Sequence, residues 1–201
     1  MAYPTIDKPY GLRPVNLLGG QVFAGSTRQI PIASGEGTSI FYGDVVLMTA
    51  AGTITKASAT DSANLAVGVF LGCSYTNPTT SQKTFTQYYA QPITASDIVA
   101  YVADDPDQVF KVAVCTAGGT TISGVTRAAV GQTLAFANVS AGSTTTGDSV
   151  MAVSSTTGTV TTFPLKLIDV VPETVNASGS YTEVLVCWNG AVHFYRSNAG
   201  I

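Results

Sequence analysis

Short segments with the side-chain pattern of β-strands recur along the whole of this 201-residue chain. Residues 27–32 alternate apolar with polar side chains, whereas residues 65–72 are apolar on both faces, which is typical of a strand buried in a barrel or sandwich. The one helix candidate, residues 126–130, is too short to organise a fold. The sequence therefore predicts an all-β protein, an antiparallel β-barrel or sandwich of about ten short strands with at most one or two short helices.

Two local features refine this prediction. Gly68 interrupts the apolar run and indicates a β-bulge or the close approach of another backbone. Asp104, Asp105 and Asp107 flank Pro106, and three neighbouring carboxylates could supply oxygen ligands to Ca²⁺. Their spacing is not that of an EF-hand, and Asp before Pro is ordinary type I turn chemistry, so we favour a turn over a metal site.

The first 20 residues differ from the rest of the chain. Pro4, Pro9 and Pro14 disfavour a helix, yet apolar and aromatic side chains lie between them. We therefore interpret residues 1–20 as an extended N-terminal arm that docks on its own body or on a neighbouring subunit. We expect deletion of residues 1–20 to abolish attachment to a partner and to leave a folded β domain.

Residues 21–201 are predicted to form the β-rich body. Within it, residues 140–163 are rich in Ser, Thr and Gly, and we expect them to form a protruding hairpin or long loop.

Charge is scarce: 10% of the residues are charged, against about 25% in an average soluble protein. The formal net charge of −3 excludes the basic surface that duplex nucleic acid requires. No apolar run approaches the roughly 18 residues of a membrane-spanning helix. We therefore expect neither nucleic acid nor a membrane as a partner.

Catalytic and metal-binding patterns are not found in the sequence. It has no Gly-x-Ser-x-Gly elbow, no phosphate-binding loop and a single histidine, His193, which lies at strand spacing and is interpreted as structural. Cys73, Cys115 and Cys187 are too scattered for a metal motif and are interpreted as buried free thiols, in keeping with synthesis in a reducing cytoplasm. We expect no enzyme activity and no cofactor.

Aromatic side chains suggest a different use. Seven of them could form a surface that stacks on carbohydrate, although their positions within strand patterns favour a core or interface role. They are Tyr75, Tyr88, Tyr89, Tyr101, Tyr181, Trp188 and Tyr195.

Several short motifs resemble one group of virion proteins. The segment Asp7-Lys8-Pro9-Tyr10-Gly11-Leu12-Arg13-Pro14-Val15 is similar to the opening of tailed-bacteriophage head decoration proteins, also called capsid cement proteins. The similarity continues at residues 41–46, 67–72, 104–110, 130–131 and 167–171. It spans nearly the whole chain, but each motif is short, and residues 141–163 match nothing in the pattern.

The resemblance implies a β-rich structural protein that binds the outside of the assembled capsid. Such proteins bridge neighbouring major capsid proteins and stabilise the head against internal DNA pressure. They typically form homotrimers, and an N-terminal arm commonly reaches onto the shell or a neighbouring subunit. The protein would then be made in the host cytoplasm and reside on the outer capsid surface.

On this interpretation the arm supplies the residues that bind the capsid or another partner. Leu12, Val15, Leu17 and Leu18 would be apolar anchors. Tyr3 and Tyr10 would make amphipathic contacts, and Arg13 would pair with a carboxylate.

Three other functions fit the sequence less well. A major capsid protein needs a long spine helix, for which the chain has no candidate. A tail or fibre component could bind host surface polysaccharide through the aromatic side chains. A cellular β-barrel binding module is the third alternative.

Overall fold

The computed structural model describes residues 6–58 and 66–197. Strands dominate these residues, and two three-residue 3-10 turns, Arg127–Ala129 and Pro172–Thr174, are the helical elements named within them. The strands are β1 (Arg13–Leu17), β2 (Arg28–Pro31), β3 (Val45–Met48), β4 (Ile54–Lys56), β5 (Ala66–Thr76), β6 (Lys83–Thr86), β7 (Val99–Ala103), β8 (Gln108–Cys115), β9 (Thr133–Asn138), β10 (Ala152–Gly158), β11 (Leu165–Val170) and β12 (Glu183–Trp188). The predicted all-β class is confirmed. In the described ranges no helix is long and apolar enough to cross a membrane.

One sheet closes on itself. Strands β8, β12, β11, β9 and β10 follow one another around a ring, and β10 pairs with β8 to complete it. We call this ring the C-terminal barrel. Its pairings are antiparallel except the one between β10 and β8. β1 adds a sixth strand by pairing with the first half of β8.

The other sheet has the order β2-β7-β5-β3-β4, and β6 pairs with the far end of β5. We call it the N-terminal sheet. An isolated parallel bridge between Ile32, which follows β2, and Ile54 in β4 joins the two ends of this order. The N-terminal sheet therefore also curves into a barrel-like shape.

Two apolar cores fill the molecule, and β3 and β5 lie between them. Because successive side chains of a strand point to opposite faces, Val45 and Leu47 enter the larger core of the C-terminal barrel, and Val46 enters the smaller core of the N-terminal sheet. In β5, Val67 enters the smaller core and Val69 the larger one, because a shift in the register with β3 interrupts the simple alternation between Ala66 and Gly68. This position explains why residues 65–72 are apolar on both faces.

Gly68 confirms the predicted close approach of two backbones. A Cβ at this position would lie 2.3 Å from the carbonyl oxygen of Ala103, at the end of β7, and 2.8 Å from Cγ1 of Val102. Only glycine leaves room for β7 to lie against β5 here.

The acidic segment is a turn, as predicted. Residues 104–107 connect β7 to β8, with the Gln108 N–H donating to the Asp105 carbonyl and the Asp107 N–H to the Asp105 carboxylate. Asp104 and Asp107 form ion pairs with Arg28 and Arg196, each at 2.5 Å.

Residues 9–17, which are part of the predicted arm, pack into the body. Leu12 is completely buried in the larger core, and its N–H donates to the Gly43 carbonyl. Gly11 and Gly43 pack so closely that a Cβ on Gly11 would lie 2.9 Å from the Gly43 backbone. Residues 9–17 are therefore built into the fold rather than extending from it.

Residues 140–163 do not protrude as a unit. Ser149 and Met151 are buried, and β10 is a strand of the C-terminal barrel. Ser149 donates a 2.5 Å hydrogen bond to Asp44, which fixes this segment to the N-terminal sheet. Most of the exposed residues lie at 140–146 and in the connection from β10 to β11, residues 159–163.

Candidate partner-binding surface

β1 continues into a hairpin at the edge of the C-terminal barrel. The Leu17 N–H donates to the Gln21 carbonyl at 2.7 Å, and the Phe23 N–H donates to the Val15 carbonyl at 3.5 Å. Gly20, with a φ of +82°, supplies the turn conformation that other residues rarely adopt. We call residues 13–23 the edge hairpin.

The edge hairpin presents apolar side chains to solvent. Val15, Leu18 and Val22 are 44%, 45% and 79% exposed. Because the neighbours of Val22 make the hydrogen bonds to β1, antiparallel geometry directs the N–H and carbonyl of Val22 to the outer edge of the hairpin. The edge hairpin thus combines exposed apolar side chains with outward-facing backbone groups.

A pocket of about 270 Å³ lies beneath the edge hairpin. Leu17, Val22 and Phe23 form apolar parts of its wall, and Asp105 and Gln108 contribute polar groups. We call this cavity the hairpin pocket.

Gln108 is fully buried, and only the nitrogen of its side-chain amide makes hydrogen bonds with described residues. Its Nε2 donates to the carbonyls of Asn16 and Val109, each at 2.9 Å. Both partners are carbonyl oxygens, so the amide NH₂ group makes these two bonds and Oε1 is the remaining polar atom of the side chain. Oε1 has no hydrogen-bond partner among the described residues. The hairpin pocket is therefore lined in part by a residue with an unused acceptor.

The acids beside the hairpin pocket are unequally neutralised. Arg28 pairs with Asp104, which also accepts from the Tyr195 hydroxyl at 2.8 Å, and Arg196 pairs with Asp107. Asp105 is exposed and is in none of the ion pairs that the described residues form. The pocket rim therefore carries an uncompensated negative charge.

The structure separates the residues that the sequence predicts to bind a partner. Val15, Leu17 and Leu18 lie together on the edge hairpin. Leu12, predicted as an apolar anchor, is completely buried in the body of this chain, so its side chain already packs in the larger core. Tyr3 lies outside the described residues.

Tyr10 and Arg13 are occupied within the chain. The Tyr10 hydroxyl donates a short hydrogen bond to Glu183, which Lys111 also approaches at 3.2 Å. Burial, reinforced by this carboxylate, raises the pKa of Tyr10 far above its usual value, so the phenol stays protonated. Arg13 pairs with Asp148 at 2.7 Å. Its charge is therefore already matched by this chain.

Sequence reasoning does not single out Val22 or Gln108 as site residues, and it considers Asp105 only as part of the acidic turn that could bind Ca²⁺. Val22 is an apolar residue close to Gly19-Gly20, which is a weak signal for an exposed turn residue. Gln108 gives no signal, because its role depends on contacts with Asn16, which is distant in the sequence.

Other polar groups in the interior are structural. Lys56 and Asp44 form a buried ion pair at 3.0 Å, and Lys56 also donates to the Ser140 carbonyl at 2.8 Å. The three cysteines are free and buried, as predicted, and burial raises the pKa of each thiol. His193 is buried, as expected for a structural histidine.

The aromatic residues do not all reach the surface. Tyr89 and Trp188 are buried, so two of the seven side chains considered for carbohydrate stacking are inaccessible. Tyr88 stacks on Phe41 with ring centroids 5.2 Å apart. Tyr195 is 40% exposed, but its hydroxyl is bonded to Asp104.

Comparison with known proteins leaves the edge hairpin as the main guide to function. No protein-family model, curated protein or solved structure matches this chain. Within residues 6–58 and 66–197, no group of three or more His, Cys, Asp or Glu side chains could hold a metal ion.

Proposed function

We propose that this chain is a structural virion protein of a tailed bacteriophage. It binds the outside of the assembled capsid, bridges neighbouring major capsid proteins and stabilises the head against internal DNA pressure. The proposal rests on the resemblance of the short motifs, and the structural observation that supports it is the edge hairpin. On a chain with so few charges, three exposed apolar side chains on one hairpin suit a permanent contact with another protein.

The edge hairpin can bind in two ways at once. Val15, Leu18 and Val22 can bury apolar surface, at about 25 cal/mol per Å² removed from water. The outward-facing backbone of Val22 can pair with a strand of the partner, which adds affinity without charge. Each contact is small, but many copies on one lattice act together, and binding only the assembled head favours that state by mass action.

The test is cosedimentation of the purified protein with expanded heads of the phage that encodes it. Val22→Asp places a charge on the proposed contact and should weaken binding at least about tenfold, because a carboxylate is costly to bury without a partner. Val160→Asp is the matched control, since Val160 is also exposed but lies away from the edge hairpin, after β10. Equal binding by both variants and the unmodified protein would contradict the role of the hairpin.

Copy number tests the class of virion protein. Gel densitometry of purified virions should give this chain in a simple ratio to the major capsid protein. A handful of copies per particle would instead support the alternative of a tail or fibre component that binds host polysaccharide, which a glycan-binding screen tests directly. Light scattering of the purified chain tests the proposed homotrimer.

A further inference from the structure

We propose that the hairpin pocket binds a basic side chain, Lys or Arg, of the partner protein. The inference rests on the proposed function only for the identity of that partner as the major capsid protein. The chemistry of the pocket is a property of this chain alone.

Two residues that line the hairpin pocket carry acceptors without a partner. Asp105 has a carboxylate that no described cation neutralises, and Gln108 has an amide oxygen that no described donor reaches. Gln21 and Ser26 also line the pocket, and their side chains can accept as well as donate. The Nε2 donors of Gln108 are already used by Asn16 and Val109, so the amide cannot offer them to a ligand. An unneutralised carboxylate beside an unused amide oxygen favours a ligand that is rich in N–H donors.

The walls of the pocket suit the stem of such a side chain. Lys and Arg lay their methylene groups along apolar surface while the charged end reaches polar partners. Leu17, Val22 and Phe23 provide that surface next to Asp105 and Gln108. At about 270 Å³ the pocket is smaller than the roughly 300 to 1,000 Å³ typical of small-molecule sites, which favours one side chain over a cofactor.

The neighbouring arginines of this chain do not neutralise Asp105. The nearest arginines, Arg28 and Arg196, are held by Asp104 and Asp107. Asp105 therefore remains available to a cation from outside the chain. Docking a partner's Lys or Arg here would also place the partner against the exposed face of Val22, so the pocket and the edge hairpin would act as one interface.

The first experiment uses the isolated protein and small probes. Titration with capped lysine and capped arginine, followed by NMR, should shift the Gln108 side-chain amide and the Val22 methyl signals. Capped norleucine, which has a similar stem but no charge, should bind much more weakly. Equal shifts from norleucine would overturn the requirement for a cation. An equal response to CaCl₂ alone would overturn the assignment of a basic side chain.

Two variants separate a specific site from general electrostatics. Asp105→Asn should weaken binding of capped lysine by about three- to tenfold, the effect of losing one partly exposed charge-assisted hydrogen bond. Asp169→Asn removes the same charge from a remote exposed pair with Arg127 and should leave binding unchanged. Equal effects of the two variants would contradict the proposal.

The same variants on phage heads distinguish the two proposals. If capped lysine binds the pocket but the protein does not bind heads, the pocket is correct and the proposed function is wrong. If the protein binds heads, and Asp105→Asn binds them as well and with the same salt dependence, the pocket inference is wrong and the proposed function stands.

Discussion

Leu12 and Val15 show how differently neighbouring residues of this chain are used. Leu12 is completely buried just before β1, whereas Val15 within β1 is 44% exposed. Both are aliphatic residues of the same N-terminal segment. Because they differ in burial, we expect Leu12 to contribute mainly to stability and Val15 mainly to binding.

Leu12→Ala should lower the free energy of unfolding by about 2 to 5 kcal/mol, because it leaves a cavity in the larger core. Val15→Ala should change it by less than about 1 kcal/mol, since much of that side chain is already in water. Urea denaturation of both variants measures the difference. Equal small effects would show that residues 9–17 are a separable arm, and a stable protein after deletion of residues 1–20 would show the same.

His193 should govern the stability of the protein between pH 7 and pH 5. It is buried, and its Nδ1 accepts from the Tyr195 N–H at 3.3 Å. Burial, helped by the positive charge of Arg196 and opposed by Asp104, by a backbone hydrogen bond with Val67 and by Asp105, lowers the pKa of His193 from 6.5 to about 4. The folded protein therefore keeps this histidine neutral where an unfolded chain would protonate it.

The direction of the pH dependence follows from linkage. At pH 7 the imidazole is neutral in both states, so it does not oppose folding. As pH falls below 6.5 the unfolded state takes up the proton first, and stability should fall by about 1 kcal/mol by pH 5 after allowance for solvent screening. The chain has a single histidine, so urea midpoints of a His193→Asn variant should be nearly flat over this range. If the substitution leaves the dependence of the urea midpoint on pH unchanged, another titratable group is responsible for it.

At the scale of elements, β5 is the strand that the sequence predicts best. Residues 65–72 are apolar throughout, and β5 occupies Ala66–Thr76 between the two cores. A strand that is buried on both faces needs an apolar side chain at each position, so it can be recognised from the local sequence. Gly68 can be recognised as well, since a glycine within such a run is otherwise unfavourable.

Gly68→Ala should destabilise the protein by about 1 to 3 kcal/mol or more, because the new methyl group meets the Ala103 carbonyl oxygen rather than a movable side chain. Gly37→Ala is the control, since Gly37 has no positive φ and its Cβ would meet nothing within 4 Å. Thermal denaturation compares the two. Similar melting temperatures for both variants would mean that β5 and β7 can separate at little cost.

The edge hairpin could not be predicted from the sequence. Residues 17–24 contain Gly19-Gly20 and lack the alternation of a strand, so they read as the end of an arm. The hairpin forms because Leu17 and Val15 bond to Gln21 and Phe23 while β1 is held by β8. That pairing joins residues about ninety positions apart, and local patterns carry no information on it.

At the scale of the whole molecule, the hairpin pocket also depends on residues that are far apart in the sequence. The hairpin pocket combines residues 17–26 with the turn at residues 104–107 and with Gln108. The apolar composition of residues 12–18 draws attention equally to Val15 and Leu18, which are exposed, and to Leu12, which is buried. Composition ranks side chains by polarity, whereas exposure depends on which strand lies alongside.

The shared position of β3 and β5 implies that the two sheets unfold together. Val45 and Val69 pack in the larger core, and Val46 and Val67 of the same strands pack in the smaller one. Loss of the smaller core would release both strands and expose one side of the larger core. A boundary between independent domains cannot therefore pass between the sheets.

Ile54→Ala, in the smaller core, tests this coupling through a distant reporter. Trp188 is the only tryptophan, and it lies in the C-terminal barrel against Phe110. The substitution should cost about 2 to 5 kcal/mol and lower the urea midpoint seen by Trp188 fluorescence as much as the midpoint seen by circular dichroism. Phe85→Ala, at a side chain that is 71% exposed, should move neither midpoint. A Trp188 transition that stays in place while circular dichroism becomes biphasic would show that the sheets fold independently.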